Sequence, residues 1–297
     1  MHRRLYALSA VALFGLGGFW LLTAPNTAPS SVYDGVTGSA SAGESVFWAS
    51  GCASCHMAKD ATGGAQLVLS GGQEFASPFG TFVAPNISPD PVAGIGGWTL
   101  AEFGNAIQNG VSPEGQHLFP ALPYNAYNKM TLQDVADLKA FMDGLPPSDV
   151  ASLPHKVGFP FNIRRSLGIW KRLFLNADWV VAGDLTEEQT RGRYIVEAMA
   201  HCGECHTPRN VLGGLQRDKW LGGAALPDGK GRTPNITPDK LTWSDAEIVE
   251  YLTSGFTPEY DSVGGHMVHV VENMARLPES DRRAVAAYLK LVAPQPN

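Results

Sequence analysis

Cys52-Ala53-Ser54-Cys55-His56 and Cys202-Gly203-Glu204-Cys205-His206 are two copies of one pattern, C-x-x-C-H, and together they consume all four cysteines of the 297-residue chain. The pattern is that of a c-type haem attachment site. Two thiols two residues apart can add to the two vinyl groups of one porphyrin, and the next residue offers an imidazole to the iron. Other uses of these residues ask for something different. A structural zinc site takes four ligands from paired C-x-x-C units, and a disulfide oxidoreductase takes one reactive pair in a βαβ setting; neither needs a histidine after both second cysteines. Disulfides closing loops of two intervening residues would restrict the unfolded chain very little. The expected cofactors are therefore two haem c groups, one on Cys52 and Cys55 and one on Cys202 and Cys205, with His56 and His206 as iron ligands.

The motifs lie 150 residues apart, and a chain of this length accommodates about two domains of roughly 100–200 residues each, so one haem per domain follows. With 33 glycines, 21 prolines and only 17% charged residues, the domains read as loop-rich, their short helices packing on a large apolar group that haem supplies. A formal charge of −6 disfavours nucleic acid as a partner. The chain opens Met1-His2-Arg3-Arg4, followed by an uncharged apolar run from Leu5 to Leu22. That run is near the lower length for spanning a bilayer, and a cleaved signal peptide shares its features. Ala24 and Ala28, the small residues that could precede a cut, are each followed by a proline, Pro25 or Pro29, which signal peptidases tolerate poorly. The expectation is an uncleaved signal anchor over 1–24 with Arg3 and Arg4 cytoplasmic and everything after Pro25 translocated, then a flexible tether over 25–41.

An internal repeat organises the rest. After each motif comes a glycine-rich loop, then Asn86-Ile87-Ser88-Pro89-Asp90 or Asn235-Ile236-Thr237-Pro238-Asp239. Trp98-Thr99 and Trp243-Ser244 next open helical patterns that end at Asn109-Gly110 and Ser254-Gly255. Thr99 and Ser244 are N-caps with Glu102 and Glu247 completing capping boxes. Asn86 and Asn235 also match the glycosylation sequon, but the repeat accounts for them. Each half has an opening helix (Gly43 to Trp48; Gly192, Tyr194, Val196) and a closing one (Val135, Leu138, Phe141, Met142; Val285, Tyr288, Leu289), read from helical spacing. Gly43 and Gly192 would let the two helices approach closely, with Phe141 and Tyr288 filling the crossing. Period-2 segments are lacking, so few strands are expected.

From about Ala42 to Val292 the chain resembles the diheme and triheme cytochrome c subunits of bacterial membrane-bound dehydrogenases for alcohols, aldehydes and sugar acids. The resemblance is carried by His201-Cys202-Gly203-Glu204-Cys205-His206-Thr207-Pro208-Arg209-Asn210, by the two Asn-Ile-Ser/Thr-Pro-Asp loops, and by Phe119-Pro120-Ala121-Leu122-Pro123-Tyr124 running to Lys129-Met130-Thr131. It implies a mainly α fold: two tandem class I cytochrome c domains, over 42–147 and 187–293, joined by a connector over 148–186 and preceded by a single N-terminal transmembrane helix. A third C-x-x-C-H is lacking, so the chain is similar to a shorter, diheme member.

The sixth iron ligand sets the redox range, and a methionine opposite histidine favours electron transfer over ligand chemistry. In the first half Met130 precedes the closing helix and matches the family's Lys-Met-Thr position; His117 competes, and Met57 and Met142 read as core. In the second half the resemblance favours Met267, in Gly264-Gly265-His266-Met267 ahead of Val270-Val271. Met274, His266 and His269 are alternatives, because aligning the repeats puts Leu277 where Met130 sits. Arg209 is a candidate propionate contact through its planar fork. Trp98 and Trp243 read as core. The connector carries Lys156, Arg164, Arg165, Lys171 and Arg172 with no acidic residue between Asp149 and Asp178. It is either a packed linker with solvated charges or a strip for anionic lipid or a partner subunit.

The implied function is electron relay from a periplasmic quinoprotein or flavoprotein dehydrogenase, on another chain, to quinone, a soluble cytochrome or an oxidase, with no catalytic residue of its own. The expected location is the bacterial inner membrane, the haem domains facing the periplasm. The alternative is a diheme redox enzyme. A thiosulfate dehydrogenase-like site would need a fifth cysteine, and a peroxidase-like site would need one haem without a sixth ligand. Gly94-Ile95-Gly96 lacks the third glycine and the strand-to-helix setting of a dinucleotide loop.

Overall fold

The computed structural model describes Tyr6, residues 15–227 and residues 229–296. The first half runs α1 (Ala40–Ala49), α2 (Cys52–His56), a hairpin of β1 (Glu74–Ser77) and β2 (Gly80–Val83), then α3 (Leu100–Asn109), α4 (Tyr124–Tyr127) and α5 (Leu132–Met142). The connector carries α6 (Leu167–Phe174). The second half repeats the order: α7 (Glu187–Tyr194), prolonged as a π-turn over Ile195–Met199, α8 (Gly203–His206), a short hairpin of β3 (Ala224–Ala225) and β4 (Arg232–Thr233), α9 (Asp245–Ser254), α10 (Met267–Met274) and α11 (Glu279–Leu289). Both hairpins are antiparallel, with Glu74 opposite Val83 and Ala224 opposite Thr233. The architecture is mainly helical, and among the described residues the sheets have two strands each.

In each half the opening helix crosses the closing helix at a glycine. A Cβ on Gly43 would lie 1.9 Å from the Asp137 carbonyl oxygen and 2.9 Å from the Phe141 Cβ; on Gly192 it would lie 1.9 Å from the Ala284 carbonyl and 2.8 Å from the Tyr288 Cβ. No larger residue permits that approach. Phe47 packs beside Phe141, with ring centroids 5.1 Å apart. The capping boxes of α3 and α9 form as the pattern predicts, and each helix stops at a left-handed glycine, Gly110 at φ 60° or Gly255 at φ 79°, a conformation glycine adopts without steric cost. Thr186 and Gln189 make a third capping box, on α7.

The expected N-terminal transmembrane helix is corrected. Among the described residues no helix is long and apolar enough to cross a membrane. Residues 1–5 and 7–14 of the expected span lie outside the described residues. The described helical part, 15–22, would rise only about 12 Å against a hydrocarbon core of roughly 30 Å. Its end is held by protein. Arg165 Nη2 and Arg172 Nε each donate at 2.5 Å, to the Trp20 and Leu22 carbonyls, and Arg165 Nε donates to Thr23 Oγ1 at 2.9 Å. The His117 Nε2 lies 2.8 Å from the Thr23 carbonyl. Arg164 likewise donates to the His117 carbonyl at 3.1 Å, whereas Lys156 pairs with Glu74 at 2.6 Å on the exposed surface.

The segment 25–41, expected as a tether, is laid along the first half. Ala28 exchanges hydrogen bonds with the Asn105 amide at 2.7 and 3.0 Å, Tyr33 is buried with its hydroxyl on Gln108 Oε1, and Ser39 N–H donates to Asp137 Oδ1 at 2.6 Å. A composition of small polar residues signals flexibility, but here the backbone amides find partners and Tyr33 finds a core.

Candidate haem sites

The repeat builds the same cradle twice. His56 Nδ1 donates to the Pro85 carbonyl and His206 Nδ1 to the Pro234 carbonyl, both at 2.8 Å. A carbonyl can only accept, so Nδ1 carries the proton and Nε2 keeps its lone pair, the arrangement that orients a metal-ligating imidazole. Burial pushes both imidazoles below their ordinary pKa range, the proline carbonyl opposing it, which keeps them in the neutral, ligating form. The loop carrying each proline is pinned in turn. Asn86 Nδ2 donates to the Ser148 and Val150 carbonyls at 2.8 Å each, and its Oδ1 accepts from Ser88 N–H at 2.9 Å. Asn235 donates to the Gln295 carbonyl at 2.7 Å and accepts from Thr237 N–H at 2.9 Å. These amides are occupied structurally, which is why the sequon recurs.

The histidine carbonyls are matched as well: Gly71 N–H donates to His56 O and Gly223 N–H to His206 O, both at 2.7 Å. Gly71 and Gly223 are left-handed, at φ 73° and 81°, and a Cβ on either would fall within 2.7 Å of backbone. Pro85, Pro234, Gly71 and Gly223 escaped the sequence reading as site residues. The signal was present, because Pro-Asn-Ile follows each motif, but a backbone carbonyl has no residue-type signature.

All four cysteines are free, Cys55 and Cys205 exposed and Cys52 and Cys202 half-buried. Burial raises the Cys52 and Cys202 thiols to about 12, opposite to the lowered value a redox-active dithiol needs. Among the described residues no group of three or more His, Cys, Asp or Glu side chains is placed to hold a metal ion, as a zinc site would require. Accessible thiols beside an imidazole with an open Nε2 fit covalent haem with histidine ligation in each half.

Met130 is buried at 4% exposure, its carbonyl accepting from Gln108 Nε2 at 2.9 Å. Met267 starts α10 and is half-buried against the core, whereas Met274 is buried at 2% exposure and its carbonyl is held by Arg282 Nη1 at 2.9 Å. His117 commits Nε2 to Thr23, so only its other ring nitrogen is without a partner. Arg209 pairs with Glu204 and donates to the Gly213 carbonyl at 2.8 Å, so its fork is engaged inside the chain. Trp98 and Trp243 are partly buried against the core.

The first attachment helix lies against the second half, where α10 meets it across a seam. Asn273 Nδ2 donates to Ser54 Oγ, inside the first motif, at 3.0 Å, and Arg276 stacks 4.0 Å from the centroid of the Trp48 ring. Thr131 N–H donates to Tyr194 Oη at 3.0 Å, and that hydroxyl also meets Asp134. Cys55 is pushed up to about 11, first by desolvation and then by the charge of Cys205, which reaches it across the seam. Behind the second motif Glu197, fully buried, accepts from Val180 N–H at 2.7 Å, Val181 N–H at 3.2 Å and Tyr288 Oη at 2.7 Å, and Trp220 Nε1 donates to the same Tyr288 oxygen at 3.0 Å.

Comparison with known proteins shows the family. The pattern of the family described as "Cytochrome c" matches residues 40–146. Over 293 residues the chain is 56% identical to a "Diheme cytochrome c-type" protein of Cereibacter sphaeroides, covering 98% of this chain and 99% of that one. It is 37% identical over 261 residues to the fructose dehydrogenase cytochrome subunit of Gluconobacter japonicus, covering 86% of this chain and 52% of that subunit. It is 33% identical over 262 residues to the gluconate 2-dehydrogenase cytochrome c subunit of Pantoea cypripedii, covering 84% of this chain and 58% of that subunit. The chain thus spans nearly the whole of the first relative and little more than half of the dehydrogenase subunits.

Proposed function

The chain belongs to the diheme c-type cytochromes and carries haem c, and from that premise we propose that it relays electrons from a periplasmic quinoprotein or flavoprotein dehydrogenase to quinone, a soluble cytochrome or a terminal oxidase. Bound haem c supplies reversible one-electron chemistry at iron. The chain's residues supply attachment, orientation and shielding. Cys52 and Cys55 tether one porphyrin and Cys202 and Cys205 the other; Pro85 and Pro234 aim the Nε2 atoms of His56 and His206. Met130 is the proposed sixth ligand in the first half and Met267, with Met274 as the alternative, in the second.

The observation that carries the reading is the seam beside the attachment sites, where Asn273 of α10 bonds Ser54 inside the first motif and His201, one residue ahead of the second motif, meets the Ser50 carbonyl; this suits two redox centres in series better than two independent sites. The names of the relatives, cytochrome subunits of fructose and gluconate dehydrogenases, favour a dehydrogenase as donor. Export to the periplasm is favoured by the basic start and apolar run at the N-terminus.

The test is copurification. A tagged chain isolated from gently lysed cells is expected to bring a dehydrogenase whose substrate reduces both haems, without binding carbon monoxide rapidly at either. Rapid carbon monoxide binding at one haem, together with peroxide turnover by the isolated chain, would replace the relay with a diheme enzyme.

A further inference from the structure

The residue before each motif is left-handed, Gly51 at φ 64° and His201 at φ 44°. Glycine takes that conformation freely, whereas a residue with a side chain holds it only when its surroundings impose it, so a histidine at the repeat's glycine position points to a role for the side chain. His201 reaches across the seam. Its Nε2–H donates to the Ser50 carbonyl at 3.3 Å, and Ser50 is the C-cap of α1, two residues ahead of Cys52. Tyr127 Oη–H donates to the same oxygen at 2.8 Å, and its ring meets the His201 ring edge-on with centroids 5.7 Å apart. A Cβ on Gly51 would lie 3.6 Å from Asn273 Nδ2 and 4.0 Å from His201 Nε2. The turn that leads into the first motif is therefore nested between the residue that leads into the second and the amide that bonds Ser54.

We propose that His201 is a positioning residue for electron transfer between the two haems: by clasping the Ser50 carbonyl it fixes α2 against α8 and holds the two attachment sites at one separation. The proposal rests on the relay reading. One electron passes, one iron going from ferrous to ferric and the other from ferric to ferrous, with no proton or group transferred. Tunnelling falls steeply with separation, so a seam that slackens slows transfer while leaving each iron's own ligands intact. His201 acts through the backbone it holds, since its Nε2 is committed to a carbonyl.

The experiment uses the full chain with both haems attached. His201→Gly accepts the left-handed backbone and removes the clasp; His201→Asn tolerates the same backbone and retains an N–H donor. One haem is reduced by a light pulse and equilibration with the other is followed optically, with the two midpoint potentials and the haem content as controls. The glycine variant is expected to equilibrate at least about tenfold more slowly, as displacements on the order of 1 Å cost in other positioned reactions, at unchanged potentials, and the asparagine variant to recover part of the rate. A wild-type rate in His201→Gly overturns the proposal, as does a slowing accompanied by shifted potentials at both haems. If that variant does not fold, Tyr127→Phe and Asn273→Ala are read in the same way, and unchanged rates in both overturn it. If the wild-type protein itself never equilibrates its haems, the relay reading fails; if it does and the variants match it, only the role of His201 fails.

Discussion

The asparagine that follows each ligand-orienting proline anchors its loop with both ends of its amide. Removing the Asn86 side chain strands the buried Ser88 N–H and takes a donor from the exposed Val150 carbonyl and from the Ser148 carbonyl, which keeps Ser88 Oγ at 3.3 Å; leaving a buried group unpaired costs about 1–3 kcal/mol when water cannot reach it. Asn86→Ala is therefore expected to lower stability by about 1–3 kcal/mol, measured as a fall in denaturant midpoint at unchanged m, and to perturb the first haem's spectrum through Pro85 while sparing the second. The sixth ligand is also a residue-scale question. Met130→Ala is expected to abolish the sulfur-to-iron far-red band of the first haem, and Met267→Ala that of the second. A second-haem band that survives loss of Met267 and vanishes in Met274→Ala reassigns the ligand. The motif alone names His56 and His206 as the ligand candidates. The carbonyls that orient them were not legible there, since any residue can supply a carbonyl and only the folded loop brings the Pro85 oxygen to His56.

Between elements, the helix crossings and helix ends divide in the same way. Gly43 and Gly192 sit where a Cβ would overlap a backbone carbonyl at 1.9 Å, so Gly43→Ala or Gly192→Ala forces the helices apart at a cost of about 1–3 kcal/mol, read as a lowered midpoint for the half concerned. These crossings were legible because glycine inside a helix is destabilising on its own, and a close helix–helix approach offsets that cost. Lys171 was not. On α6 it closes the C-terminus of α3, donating to the Asn109 and Gly110 carbonyls at 2.6 Å each beside the Tyr124 ring. Burial pushes its ammonium down from 10.5 to about 7. Between those values the unfolded chain holds a proton that the folded chain has released, so the site's contribution to stability rises with pH across the window and is least below it. The difference in unfolding free energy between the wild type and Lys171→Met is accordingly expected to grow from about pH 7 to about pH 10. A flat difference in paired denaturation curves would show that the carbonyls keep Lys171 charged throughout.

For the whole molecule, the duplication implies that haem loading is separable by half. Cys202→Ser with Cys205→Ser is expected to halve the haem per chain, by pyridine haemochrome assay, and to leave the first haem's spectrum in place. The connector is where sequence and structure part most. Five cations without an acidic neighbour read as a solvated or docking strip, yet Arg165 and Arg172 close the carbonyl end of the N-terminal helix, and Arg164 lies 4.7 Å over the Phe119 ring. The apolar N-terminal run read as a membrane span, but among the described residues no helix is long and apolar enough to cross a membrane. Hydropathy reports what a segment could be transferred into, and says nothing of the guanidinium and imidazole groups that another segment brings to its end.

The residues alone specify the two C-x-x-C-H motifs, the duplicated helical plan, the capping boxes and the two glycine crossings. Each depends on residues close along the chain or on a pattern with a fixed period, so composition and spacing carry it. Which carbonyls meet the histidines, where the connector cations go, and that His201 meets Ser50 from 151 residues away are set by the folded chain alone. Those contacts join groups common to every residue or ions with many available partners. Their pairing is settled as each half folds and the halves then meet, when each buried donor must find an acceptor.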